Sequence, residues 1–163
     1  MFDTVHLHHD SHARISGLLW VLIGGLVGTS LQMVHGLVTI LNLLGSDDWP
    51  ILTTPGTEDY HPLWAPMVAW ELLAILVLFP YAVALAVFLA QRRRLFPRLA
   101  IGWFILGLIF AVVDQALVSR VPAAVAQGAL ASVTISMVFS ALGAIFWAPY
   151  LLYSTRAKHT FIQ

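Results

Sequence analysis

Residues 67–90, MVAWELLAILVLFPYAVALAVFLA, form an unbroken apolar stretch whose only charged side chain is Glu71. An α-helix needs about 20 predominantly apolar residues to cross the hydrocarbon core of a bilayer, which is roughly 30 Å thick. An apolar helix buried in the core of a small soluble domain is usually shorter, about 10–14 residues. The stretch therefore predicts a membrane-spanning helix.

Three further segments have the same character, at residues 17–44, 99–118 and 129–153. The 163-residue chain is 60% hydrophobic and only 10% charged, whereas soluble domains carry about 25% charged residues. Nothing alternates in the units of about ten residues that are typical of membrane β-barrels. The sequence predicts an all-α membrane protein, a bundle of four transmembrane helices with short tails at residues 1–16 and 154–163.

The positions of lysine and arginine predict the orientation of this bundle. The N-terminal tail, the connection between the second and third spans, and the C-terminal tail hold seven of the eight basic residues: Arg14, Arg92, Arg93, Arg94, Arg98, Arg156 and Lys158. Only Arg120 falls in a connection on the other side. Because basic residues accumulate on the cytoplasmic side of a membrane protein, we expect both termini to be cytoplasmic.

Charge and cysteine content also bear on partners. The basic cluster of the second connection predicts contact with anionic lipid, since each such residue near the headgroups contributes about 1 kcal/mol; it comprises Arg92, Arg93, Arg94 and Arg98. A formal net charge of zero gives no reason to expect a nucleic acid. The chain has no cysteine, which excludes cysteine nucleophiles and thiolate metal sites.

The first span carries polar residues along one side. Gly28, Gln32, His35, Thr39 and Asn42 follow one another at intervals of four, three, four and three, which places them on one helix face. Polar groups are costly against lipid, so we expect this face to point into the bundle. Two interpretations remain open: hydrogen bonds between helices, or a role in binding a ligand or a proton.

Two acids lie within the predicted spans. Glu71 is near the start of the second span and Asp114 is near the end of the third, so the predicted topology places both on the extracytoplasmic side. Acids inside a membrane often mark functional sites and have a partner. Arg120 and His35 are the candidate partners. The alternative is that each acid lies shallow enough to reach water.

Histidines offer few sites for a metal or haem. His8 and His12 are four residues apart in the N-terminal tail, a spacing compatible with a metal on one helical face. His35 is the only histidine inside a predicted span, whereas a bis-histidine haem needs axial ligands on facing helices. The sequence predicts no cofactor.

The fourth span carries a ridge of small residues at every fourth position: Gly128, Ser132, Ser136, Ser140 and Ala144. Small residues allow the backbones of two membrane helices to approach closely. The ridge therefore predicts a packing seam, against either a helix of the same chain or a second protomer.

Two segments resemble a known family. One is FLAQRRRLFPR at residues 88–98, and the other is WAPYLLYSTRAKHTF at residues 147–161. With the Gly24-Gly25 pair, they resemble domain-of-unknown-function family 2569, small four-span membrane proteins of bacteria. The resemblance implies a multi-pass protein of the bacterial inner membrane and supplies no activity or catalytic residue.

Three functional hypotheses follow. The first is an accessory or scaffold protein that binds lipid, itself or a larger membrane complex. The second is a small oligomeric transporter or small-molecule-binding protein that uses polar residues in the outer half of the bundle, namely Gln32, His35, Asn42, Glu71, Asp114 and Arg120. The third is an enzyme acting on lipid with an acid as its proton donor or acceptor. No recognised catalytic motif supports the third, so the sequence favours a function other than catalysis.

Overall fold

The computed structural model describes residues 17–153. These residues form six helices and no strand: α1 (Gly17–Leu44), α2 (Asp48–Thr53), α3 (Trp64–Ala90), α4 (Phe96–Val118), α5 (Pro122–Ala126) and α6 (Ala129–Tyr153). Four of them, α1, α3, α4 and α6, are long and apolar enough to cross a membrane. The prediction of an all-α chain with four membrane-length helices is confirmed, and the chain is a multi-pass membrane protein. The His8 and His12 prediction lies outside the described residues.

The four long helices pack in chain order. The most extensive contact is between α4 and α6, followed by those of α3 with α4 and α1 with α3. Helix α1 therefore lies at the edge of the row and has one long neighbour along most of its length. At this contact Gly36 of α1 lies beside Ile75 of α3, where an added Cβ would make an ordinary contact of 3.8 Å with Cδ1.

Two apolar clusters hold the row together, one near each end. The first lies toward the turn that joins α3 to α4, which we call the hairpin end, and it gathers residues from all four long helices: Leu22, Leu26, Ala82, Leu85, Leu89, Phe96, Ala100 and Leu151. The second lies at the opposite end and is built from Trp64, Met67, Val118, Val121 and Ala124. Residues of the loop between α1 and α3 pack against this second cluster.

The contact between α4 and α6 depends on small residues. Ser140 of α6 faces Gly107 of α4, where an added Cβ would lie 3.9 Å from the serine hydroxyl. Gly143 packs more tightly, because a Cβ there would lie 2.6 Å from the ring of Phe104. Ser132, by contrast, is exposed. The small-residue ridge of α6 thus packs against α4 of the same chain around Ser140.

The hairpin end closes with a left-handed residue. Arg92 has φ 52°, its N–H donates to Leu89 O at 3.0 Å, and the N–H of Arg93 donates to Phe88 O at 3.0 Å. This pair of hydrogen bonds forms a Schellman motif, whose left-handed position is usually a glycine. An arginine here strains the backbone, because the left-handed conformation costs a residue with a Cβ about 1–2 kcal/mol.

We expect Arg92→Gly to raise the free energy of unfolding by about 1 kcal/mol, since glycine adopts this conformation without steric cost. Arg92→Ala is the matched control, because it removes the same charge and keeps the Cβ. The measurement is reversible unfolding in mixed detergent micelles, followed by circular dichroism. Equal stabilities of the glycine and alanine variants would show that the backbone is not strained at this position.

Candidate functional site

The two acids predicted from the sequence come together between α3 and α4. Glu71 lies two turns into α3, and Asp114 lies one turn before the end of α4. Both side chains are half-buried, and the two carboxyl groups are near enough to interact electrostatically. We call Glu71 and Asp114 the acid pair. Since the two helices run in opposite directions, a site near the start of one and the end of the other occupies a single level of the fold.

A tryptophan next to the acid pair fixes the spacing of the two helices. The indole Nε1 of Trp70 donates to the backbone O of Phe110 at 3.2 Å, and the two rings lie 4.9 Å apart. Phe110 is one turn from Asp114 along α4, and Trp70 directly precedes Glu71. The contact therefore holds α3 and α4 in register at the level of the acids.

A second link sets the same register toward the hairpin end. The Tyr81 hydroxyl donates to the backbone O of Leu99 at 2.7 Å. Gly102 leaves room for this phenol, because a Cβ there would lie 2.8 Å from its oxygen. Sequence reasoning missed both Trp70 and Tyr81. The available signal was a pair of residues inside an apolar span that each bring a polar atom needing a partner.

An apolar layer separates the acid pair from the end of the helices. Trp64 and Met67 precede Glu71 along α3, and Val118 ends α4 one turn after Asp114. Val121 follows in the connection to α5, and all four are buried in the second cluster. The α1–α3 loop also packs against this layer through Leu52 and Leu63. The acids therefore lie below this apolar layer and not at the tips of their helices.

Of the two acids, Asp114 is the one with a buried carboxyl oxygen that lacks a hydrogen-bonding partner. Its Oδ1 is buried and accepts no hydrogen bond from the described residues 17–153. A neighbouring polar contact between α4 and α6 does not involve it: the Thr134 hydroxyl of α6 donates to Leu130 O at 2.7 Å and lies 3.3 Å from Gln115 Oε1. A buried carboxyl oxygen without a donor costs free energy. Chemically, it can accept a hydrogen bond or a proton, or face a cation.

The predicted cationic partners do not reach the acids. Arg120 lies beyond the end of α4 and is exposed, and His35 is exposed on α1. Among residues 17–153, neither side chain forms an ion pair with Glu71 or Asp114. The pairing stays a prediction: Arg120 lies beyond the apolar layer, and His35 is on α1 at the edge of the row.

The polar residues of α1 do not point into the fold. Gln32, His35, Thr39 and Asn42, which we call the polar stripe, are all exposed on the surface of the chain. Helix α1 uses another face to contact α3, where Ile40 is 5% exposed. The prediction that the stripe faces the bundle interior is wrong for this single chain, since the row of helices offers α1 no second neighbour along this face.

Most of the polar stripe has no hydrogen-bonding partner for its side chains. The Thr39 hydroxyl donates to His35 O within the helix at 3.0 Å. Within residues 17–153, the side chains of Gln32, His35 and Asn42 make no hydrogen bond. Each of these three carries both donor and acceptor atoms. They lie on a helix that is long and apolar enough to span the membrane, and a side chain within the hydrocarbon core has no water to replace a missing partner.

Comparison with known protein families shows the family to which this chain belongs. Residues 12–162 match the family described as "Protein of unknown function (DUF2569)". The chain belongs to this family. The match spans nearly the whole chain, including the acid pair and the polar stripe, and it agrees with the resemblance carried by residues 88–98 and 147–161. Searches of curated proteins and of solved structures gave no match.

Membership of the DUF2569 family attaches no chemistry to these residues, so their geometry is the basis for a function. Among residues 17–153, no group of three or more histidine, cysteine or acidic side chains is placed to hold a metal ion. The acid pair and the polar stripe are two polar features of the membrane-spanning region with unmet bonding capacity. Among residues 17–153, the buried indole nitrogens of Trp64 and Trp103 and the Tyr150 hydroxyl also lack a hydrogen-bonding partner.

Proposed function

We propose that this DUF2569 protein is an accessory or scaffold protein that assembles with a membrane partner through the polar stripe of α1. The observation that carries the proposal is the exposure of Gln32, His35 and Asn42 on a membrane-length helix, without hydrogen-bonding partners in residues 17–153. Exposed polar side chains are costly against lipid. A helix from a partner removes that cost by supplying hydrogen bonds, each contributing about 0.6 kcal/mol in a membrane.

The position of α1 supports the same function. Helix α1 lies at the edge of the row, so a partner can reach it without separating α3, α4 and α6. The remaining exposed side of α1 is apolar and suited to lipid; it includes Val27, Leu31, Val34, Val38 and Leu41. The polar sector of α1 is thus available to a partner helix, and its apolar sector is available to lipid.

The experiment compares the mass of the mildly extracted protein with that of a variant carrying Gln32→Leu, His35→Leu and Asn42→Leu. We expect the wild type to run as a complex well above the 17.9 kDa of one chain, and the variant to run as a monomer. Val27→Leu, Val34→Leu and Val38→Leu together form the matched control, since they alter the exposed apolar side of the same helix. A wild type that is monomeric before and after reconstitution would falsify the proposal.

Orientation and lipid contact form part of this proposal. With both termini in the cytoplasm of a bacterial inner membrane, the exposed arginines at the hairpin end, namely Arg92, Arg93, Arg94 and Arg98, meet anionic headgroups. Because the chain has no cysteine, Gln91→Cys and Asp59→Cys each give one labelling site. Labelling of residue 59, but not of residue 91, by an impermeant maleimide added from outside is the expected result, and the reverse pattern contradicts the orientation.

A second function is favoured by one specific observation, the buried and unbonded Oδ1 of Asp114 beside Glu71. It is a binding or transport protein for a small cation or hydrogen-bond donor, working as an oligomer. Native mass spectrometry of the wild type and Asp114→Asn tests it. A small molecule that is bound by the wild type and lost in the variant supports this function. Identical ligand-free masses rule it out for tightly held ligands.

A further inference from the structure

The face of α1 that carries the polar stripe is longer than the stripe itself. Counting back from Gln32 at alternating intervals of four and three residues reaches Gly28, Gly25 and Val21. We call the complete series the seam: Val21, Gly25, Gly28, Gln32, His35, Thr39 and Asn42. All seven are exposed. A strict alternation of three and four is the heptad spacing by which two helices pack side by side along their length.

The glycine part of the seam has room for another backbone. A Cβ added at Gly25 or at Gly28 would meet no heavy atom within 4 Å outside its own helix. The glycines of the internal contacts differ, because Gly143 and Gly102 each lie against an aromatic side chain of the same chain. Small residues allow close approach between membrane helices. Gly25 and Gly28 therefore offer an unused approach surface in line with the unbonded polar groups.

We infer that the partner at the seam is a second copy of this chain, related by a two-fold axis along the membrane normal. The inference rests on the proposed function and names its partner. Two copies inserted in the same direction bring their seams together in parallel, so each residue meets its own counterpart. Such pairing requires groups that complement themselves, and this requirement distinguishes a second copy from an unrelated helix.

The chemistry of the seam meets this requirement. The amides of Gln32 and Asn42 and the imidazole of His35 each combine a donor and an acceptor, so each can bond to its own counterpart. No seam residue carries a formal charge when His35 is neutral, so self-pairing brings no like charges together. A single polar side chain in a helix seam is known to fix register and the number of helices, and this seam has three.

The absence of cysteine makes the dimer directly testable in native membranes. Thr39→Cys places one thiol on the seam and nearly preserves the side-chain volume. Leu41→Cys is the matched control, since Leu41 is 56% exposed and lies at nearly the same depth on the apolar side of α1. Because a disulfide requires Cβ atoms about 4 Å apart, we expect at least about five times more linked dimer from Thr39→Cys. Adding Gln32→Leu and Asn42→Leu to Thr39→Cys is expected to reduce the yield to the control level.

The outcomes separate this inference from the function on which it rests. Linked dimer at residue 39 well above residue 41 supports it. Equal yields at the two positions overturn it. If the extracted wild type is a complex whose mass includes a different protein, and residue 39 gives no homodimer, the partner is not a second copy and the scaffold function stands. If the wild type is monomeric, both proposals fail. Circular dichroism of each variant confirms that the helices are retained.

Discussion

Gly143→Ala is expected to weaken the contact between α4 and α6 and to lower the free energy of unfolding by about 1–3 kcal/mol, the usual cost of overpacking. The new methyl group would lie 2.6 Å from Cε1 and 2.9 Å from Cδ1 of Phe104. The phenylalanine ring cannot move away freely, because it packs against the first cluster and its centroid lies 5.4 Å from that of Trp103. The helices must separate or the ring must leave its position.

Gly107→Ala is the control for this prediction. It adds the same methyl group to the same helix pair, but its nearest neighbour would be the Ser140 hydroxyl at 3.9 Å, an ordinary contact. Reversible unfolding in mixed micelles measures both variants against the wild type. A Gly143→Ala protein as stable as Gly107→Ala would mean that α4 and α6 pack less closely than described.

Asp114→Asn is expected to stabilise the fold by about 1–3 kcal/mol, the range for correcting a buried polar group without a partner. Asparagine has nearly the same shape as aspartate and supplies two N–H donors. The amide is uncharged, so the substitution removes the electrostatic repulsion between the side chains at positions 71 and 114. The substitution thus replaces a half-buried acid with a neutral group of nearly the same size.

The control is Asp59→Asn, a change of the same chemistry at an exposed loop position, for which we expect no measurable change in stability. The double variant with Glu71→Gln adds a second test. Because the two acids interact, the effects of the single variants should not add. Additive effects, or a loss of stability in Asp114→Asn, would contradict the described geometry of the acid pair.

Together the two variants distinguish packing from function. Gly143 belongs to a contact that holds the fold together, so its replacement should lower stability without a gain elsewhere. An acid pair that destabilises the fold is a different case, since natural proteins accept such costs mainly at functional sites. If Asp114→Asn is more stable and also loses a bound small molecule, the acid pair is a binding site; if it is more stable and nothing else changes, the scaffold function is favoured.

The sequence predicted the fold class because membrane insertion leaves a strong signal in one dimension. Runs of about 20 apolar residues and the spacing of basic residues are local properties that need no knowledge of helix contacts. The helices cover all the predicted spans; α3 and α4 begin three residues earlier, at Trp64 and Phe96. The family was also found from local motifs at residues 88–98 and 147–161.

The candidate site was only partly predictable, because helical periodicity shows which residues share a face and not what that face meets. The five polar and glycine positions of α1 do share a face, but the face is exposed. Similarly, Glu71 and Asp114 were identified as acids within the spans, but the exposed side chains of Arg120 and His35 form no ion pair with them among residues 17–153. Hydrophobicity assigns polar faces to the interior only if the helix has neighbours on every side, and α1 does not.

By itself, the sequence determined that the chain is a membrane protein with four helices long and apolar enough to cross a bilayer, since the length and composition of its apolar runs allow little else. Only the tertiary structure decided that α1 lies at the edge, that the small-residue ridge of α6 packs against α4 near Ser140, and that Glu71 and Asp114 lie at one level of the fold. The physical reason is that the lipid and the interior of the helix bundle are equally apolar. The choice of neighbours therefore depends on close-packed small residues and on single hydrogen bonds such as that of Trp70.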